Sequence, residues 1–196
     1  MLDVLDTGRV AHVGVVDGDQ PFVVPLAYAR LDDSVVVHGS TGSRAFRLLA
    51  QGVPACLTVT LLDGYVLARA AFETSMRYRA AMVLGSFTVV GDRAEKTAAL
   101  AAISEAAVPG RWADMRPPSA KELAATSVLA IGLAEWSVKA NDGWPTDEEE
   151  DLDLPVWAGV VPLAAVARAP LPAPDLDPAL PVPDYLSDVP LPGLHA

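Results

Sequence analysis

Residues 35–49 read VVVHGSTGSRAFRLL: an apolar run, two glycines among three hydroxyl residues, then an arginine heading an amphipathic segment. The order is strand, polar loop, helix. A loop of this composition at a helix start turns several backbone N–H groups one way, and the helix dipole adds positive partial charge there. With His38, Ser40, Thr41, Ser43 and Arg44 inside it, the stretch has the parts of an anion cradle, and Arg44 offers the forked contact that phosphate oxygens accept. The same residues also fit an ordinary capped helix start. The spacing HGSTGSR (38–44) is neither G-x-x-x-x-G-K-[ST] nor G-x-G-x-x-G, so it is not the loop of a P-loop or Rossmann fold.

Working outward, RVAHVGVV (9–16) and PFVVPLAYA (21–29) are strand-like, and DGDQ (17–20) between them predicts a tight hairpin. SVVVHG from Ser34 is a third strand. Phe46, Leu48 and Leu49 line a short helix from Arg44 to Gln51, which Gly52 and Pro54 stop. ACLTVTLL (55–62) is expected to turn at Asp63-Gly64 into YVLARAAF (65–72), and YRAAMVLGSFTVV (78–90) follows. Short turns between consecutive strands predict antiparallel pairing. RAEKTAALAAISEAAV (93–108) is an alanine-rich helix, and SAKELAAT (119–126) a shorter one with Ser119 as cap and Glu122 completing a capping box. SVLAIGLAEWSVKA (127–140) returns as one strand. About seven strands with inserted helices read as α+β, mainly β, on an antiparallel barrel or sheet.

The chain of 196 residues is 52% apolar, enough for a full core, and carries a formal net charge of -11. That charge, with scattered Lys and Arg, argues against nucleic acid. The N-terminus lacks the cationic start of a signal peptide and no apolar run reaches membrane-span length, so a cytoplasmic protein without a membrane segment is expected. Cys56, the single cysteine, reads as a buried strand residue. DEEEDLD (147–153) lacks calcium-loop spacing, His12, His38 and His195 show no zinc spacing, and no nucleophile elbow appears, so no metal site or hydrolase is argued. From Pro170 onward the chain is dense in Pro, Asp and Leu, which predicts a domain over residues 1–169 and an extended or disordered tail over 170–196.

The succession PFVVPLAYAR (21–30), VVVHGSTGSRAFRLLAQG (35–52), CLTVTLLDGYVLARAAFETSMRYRAAMVLG (56–85) and VKANDGWPTDEEEDLDLPVWAGVVPL (138–163) resembles a known family. It is similar to the flavin-nucleotide-binding branch of the pyridoxamine-phosphate-oxidase-like superfamily, which includes the nitroimidazole-resistance proteins. The resemblance implies an FMN-binding split β-barrel, a homodimer, and FMN at the subunit interface with its phosphate at the loop after the third strand. It places His38, Gly39, Ser43 and Arg44 at that phosphate and the main chain of Val24, Pro25 and Leu26 beside the flavin ring. Ser75, Tyr78 and Arg79 match the family's serine and tyrosine-arginine pair, and Lys139 and Trp157 complete the candidate set. Family members often carry histidine where this chain has Glu73 or Thr74, a departure that bears on nitro-reducing chemistry.

Two functions follow from the resemblance. One is an FMN-dependent oxidoreductase discharging electrons to a small electron-poor acceptor. The other is a binding or storage protein holding a flavin, deazaflavin or haem without turnover. A cofactor-free dimer using its proline-rich tail for partner contact is a third class. The dimer is expected because outer strands such as VVVHG (35–39) and AAMVLG (80–85) need cover.

Overall fold

The computed structural model describes residues 1–187 and 189. Asp188 and residues 190–196, with His195 and the end of the proline-rich segment, lie outside the described residues. Eight strands and five α-helices follow the chain: α1 (Leu2–Thr7), β1 (Val10–Asp17), β2 (Gln20–Leu31), β3 (Ser34–Ser40), α2 (Arg44–Leu49), β4 (Pro54–Leu67), β5 (Ser75–Val89), α3 (Arg93–Ala107), α4 (Arg111–Asp114), α5 (Ala120–Ala125), β6 (Thr126–Gly132), β7 (Glu135–Asn141) and β8 (Gly159–Pro162). Every ladder is antiparallel. Pairs β5–β6, β6–β3, β3–β2, β2–β1, β1–β4 and β4–β5 close a ring, while β7 and β8 extend it at β5 and β4. This is the fold class expected from the sequence.

Two long strands make the ring possible by changing partners partway. β2 pairs with β1 as far as Ala27 and with β3 from Tyr28. β5 pairs with β4 as far as Ser86 and with β6 from Phe87. At that second corner Gly85 has φ +154, a conformation that side chains disfavour and glycine accepts. The β1–β2 hairpin turns on Gly18 and Asp19, with Gly18 at φ +61, as the Asp-Gly signal predicts.

Inside the ring, alternate residues form one apolar cluster: Val13 and Val15 of β1, Val35 and Val37 of β3, Leu57 and Val59 of β4, Val83 and Phe87 of β5, Leu129 and Ile131 of β6. Leu5 of α1 and Phe46 and Leu49 of α2 join it. Outside, α3 lays Ala99 and Ile103 on Ala29, Val36 and Val128. Ser119 accepts from the Glu122 N–H and Glu122 returns a bond to the Ser119 N–H, completing the expected capping box. Among the described residues no helix is long and apolar enough to cross a membrane.

Several expectations are corrected. Asp63-Gly64 is a bulge within a continuous β4, because β5 keeps pairing on one edge while β8 takes the other. Residues 127–140 form two strands, β6 and β7, parted at Leu133, whose N–H turns to the Asp33 carbonyl. The strands among the described residues therefore number eight, and α1 (Leu2–Thr7) adds a helix that the sequence pattern did not predict. VVVHG needs no outside cover, since Val35 and Val37 face the ring and Val36 lies under α3. In AAMVLG, Met82 and Leu84 are exposed. Cys56 is half-buried, with Sγ 3.6 Å from Thr58 Oγ1.

Candidate functional site

Past the Tyr28/Val37 pair, β2 and β3 part. β2 continues toward its N-terminal end paired only with β1, placing Val24, Pro25 and Leu26 opposite Val13, His12 and Ala11. β3 continues paired with β6, placing His38, Gly39 and Ser40 opposite Val128, Ser127 and Thr126. Two strand edges thus face an opening without a ladder between them. Pro25 has no N–H to leave unsatisfied on such an edge, which is where proline is tolerated in a sheet.

The polar loop closes one side of that opening. Ser40 Oγ accepts from the Gly42 N–H at 3.1 Å, and the Thr41 N–H donates to the Ala125 carbonyl at 3.1 Å. Ser43 caps α2 without a side-chain hydrogen bond. The N–H groups of a first helical turn have no partner within the helix, so here no capping hydroxyl meets them. Gly39 is required by packing, because a Cβ there would stand 2.3 Å from the Phe46 ring. His38 is half-buried, its Nδ1 has no hydrogen-bond partner, and burial holds its pKa below the ordinary 6.5. Arg44 reaches the hairpin tip, where Nε lies 2.7 Å from Asp17 Oδ2 and the guanidinium stands 5.4 Å from the Phe22 ring centre. Its side chain is 62% exposed.

The second group of candidates lies across the ring. Ser75, Tyr78 and Arg79 are on β5, and Lys139 on β7 has Nζ 5.8 Å from the Tyr78 ring centre. Arg79 is committed within the chain: Nε and Nη2 each lie 2.9 Å from Asp63, and Nη1 2.9 Å from Asp3 of α1. Those bonds raise its pKa. From β2 to β5 there are three interstrand steps, about 14 Å at ~4.8 Å each. Arg44 lies beside Phe22 of β2, Gly39 beside Phe46 of α2 and Tyr78 beside Lys139, while His38, two residues on from Val36, is on the face of β3 that α3 covers; β2 and β5 are not neighbours in the sheet. Trp157 stands alone at 65% exposure, its ring over Gly159.

Between the groups runs the outer face of β2, β1, β4 and β5. Register places Pro25, His12, Thr58 and Met82 in one row and Val23, Gly14, Cys56 and Leu84 in the next. Val10, Val16, Val23, Leu62, Met82 and Leu84 leave it apolar and exposed. A groove of about 290 Å³ crosses it, lined by Arg9, Val10, His12, Thr60, Leu61, Leu62, Asp63 and Ala165. His12 in this groove and Asp17 beside Arg44 are not among the residues to which the sequence motifs point. Strand alternation from Ala11 and Val13 was the available signal for His12; Asp17 had none beyond its charge.

Residues 1–140 match the family model described as pyridoxamine 5'-phosphate oxidase. The chain belongs to that family. Among solved structures, the FAD and heme binding protein from Mycobacterium smegmatis is 44% identical, with 96% of this chain and 92% of that one covered at a TM-score of 0.91. The flavocytochrome Anf3 from Azotobacter vinelandii is 38% identical, with 97% and 88% covered and a TM-score of 0.90. A putative 5-nitroimidazole antibiotic resistance protein from Bacteroides thetaiotaomicron, 22% identical over 70% of this chain and 80% of its own at a TM-score of 0.59, shares the family fold. No curated protein matches the sequence.

Proposed function

We propose that this chain binds a flavin nucleotide at the parting of β2 and β3 and serves as a flavin-dependent oxidoreductase, as a homodimer. The observation that carries the reading is the 44% identity, over 96% of the chain, to a protein described as binding FAD and heme. The residues present fit such a group. His38 Nδ1 is a buried polar atom without a partner, and the first turn of α2 is uncapped by Ser43. Arg44, largely exposed, exchanges Asp17 for a phosphate at little cost, since an exposed ion pair is worth little. These residues would hold the phosphate, and the unladdered edge of Val24, Pro25 and Leu26 would lie along the ring.

A bound flavin would supply electron transfer between a donor and a small electron-poor acceptor, and the protein's part is binding, orientation and exclusion of water. Tyr78, Lys139, Ser75 and Trp157 are too far around the ring to share a ligand's phosphate end within one chain. In a dimer they approach it from the second copy, and the exposed apolar face becomes the contact.

The relatives described as binding FAD and heme, and as a flavocytochrome, favour FAD over FMN and support haem as a second group. A haem would need a side-chain donor to its iron, and His12 in the outer groove would offer an imidazole. The absorbance of purified protein and mass analysis of its released ligand distinguish FMN, FAD, deazaflavin and haem; protein that neither carries nor takes up flavin overturns the reading. Arg44→Ala should weaken flavin-nucleotide binding roughly ten- to a hundredfold, the range for a charge-assisted bond, and leave riboflavin, which lacks a phosphate, nearly unaffected. Equal losses for both ligands would remove Arg44 from the phosphate.

A further inference from the structure

After β8, the Leu163 N–H bonds the Asp63 carbonyl, Ala165 lines the outer groove, and the chain leaves the ring. Every residue from Ala164 to Val182 is exposed, and the hydrogen bonds made within this arm are local ones: Leu176 N–H to Ala173 O, Leu180 N–H to Asp177 O, and Ala179 N–H to Asp177 Oδ1. The arm ends at a second anchor, where Tyr185 packs on Gly110 and its hydroxyl accepts from Arg111 Nη1 at 3.1 Å. Leu171 in the middle is 92% exposed, and Val166, Leu180 and Val182 also point into solvent.

Coverage of 96% and 97% at TM-scores of 0.91 and 0.90 leaves too few residues outside the two alignments to contain this arm, so its path recurs in both relatives. Holding a chain in one backbone path costs conformational entropy at each residue, and proline reduces that cost without removing it. Side chains as exposed as Leu171, at 92%, and Val166, at 68%, offset little of it. The middle of the arm is therefore held only weakly by its own chain.

We infer that the arm from Ala164 to Val182 lies across a second copy of this chain, a clamp that completes the dimer on which the proposed function rests. It departs from the edge of the exposed face that carries Val10, Leu62, Met82 and Leu84, so a second copy docked face to face receives it, and two-fold symmetry returns the partner's arm. The face is four strands wide, roughly 20 by 20 Å or about 400 Å², against about 800 Å² per partner in a standard stable interface. The arm supplies the remainder. Asp175 and Asp177 against Arg168 leave it slightly acidic, which disfavours nucleic acid or an anionic membrane as the occupant.

Photo-crosslinking of the full chain with benzoylphenylalanine in place of Leu171, in an equal mixture of light and nitrogen-15-labelled chains, tests this. Covalent dimers with mixed-isotope peptides are expected. Crosslinks confined to single chains, or none, overturn it. Sedimentation equilibrium should show the dimer of Leu171→Asp weakened at least roughly tenfold, the loss of one buried leucine; an unchanged dissociation constant, or a monomeric parent, overturns the inference too. Flavin content measured on the same samples separates the two readings: a clamped dimer without flavin leaves the clamp standing, and a flavin-loaded monomer removes the clamp alone.

Discussion

His38 stands where β3 leaves β2, and its environment couples the site to pH. Burial disfavours its charged form and lowers its folded pKa below 6.5. Above pH 6.5 the imidazole is neutral folded and unfolded, and stability is unaffected by it. As pH falls through 6.5 toward the folded pKa, the unfolded chain takes up the proton first, so stability declines over that window. Urea midpoints measured from pH 8 to pH 5 should fall more in the wild type than in His38→Gln, the difference opening below about pH 6.5; parallel curves would show an imidazole that folding leaves alone. A neutral His38 has one donor and one acceptor to offer a phosphate, whereas Arg44 brings a permanent charge. In the proposed phosphate site the two would act differently: Arg44 would supply the charge, and His38 a neutral hydrogen-bonding group.

Among elements, the β4–β5 connection is held by a latch that reading along the chain does not suggest. Asp147, its side chain 2% exposed, accepts from the N–H groups of Arg69 at 2.6 Å and Ala70 at 3.1 Å and pairs with Arg69 Nη1 at 3.0 Å. Burial alone would raise its pKa, but the bonds from Ala70 and Arg69 outweigh that and hold it below the usual carboxylate value. Thr146 donates to Glu73, and Arg77 donates to the Gly143 carbonyl while lying over Trp144. The latch thereby fixes the start of β5, with Ser75 and Tyr78. Asp147→Asn keeps the shape but replaces one carboxylate oxygen with a donor facing donors, so the melting temperature should fall and the amides of Arg69 and Ala70 should exchange faster. Arg116→Ala, which opens the exposed pair with Glu122, should leave both nearly unchanged. Equal effects would mean that Asp147 is only another surface charge.

At the scale of the whole molecule, the two candidate groups sit on strands three interstrand steps apart, about 14 Å around the ring, and the proposed function draws them into one site through a second copy. Flavin content should then track dimerisation. Serial dilution followed by light scattering and flavin fluorescence should show cofactor release and dissociation at the same concentration, within about threefold; flavin retained by a 20.5 kDa monomer would place the whole site in one chain.

What the sequence by itself determined is local. The Asp17-Gly18 hairpin, the helix after HGSTGS, the Ser119–Glu122 capping box and the alternation in VVVHG and CLTVTL depend on backbone preferences and on a period of two, which neighbouring residues carry. The family motifs then supplied the fold class, and the strand order came with the structure. Only tertiary structure decided that Asp63-Gly64 is a bulge, since turn and bulge favour the same residues and the difference lies in β8, nearly a hundred residues on, taking the free edge of β4. It also decided that Arg79 is bound to Asp63 and Asp3 while Arg44 stays largely exposed, and that β2 meets β3 only from Tyr28 onward. Pairings between distant segments follow from how the ring closes around its core, and that closure is a property of all the strands together, legible in no one of them.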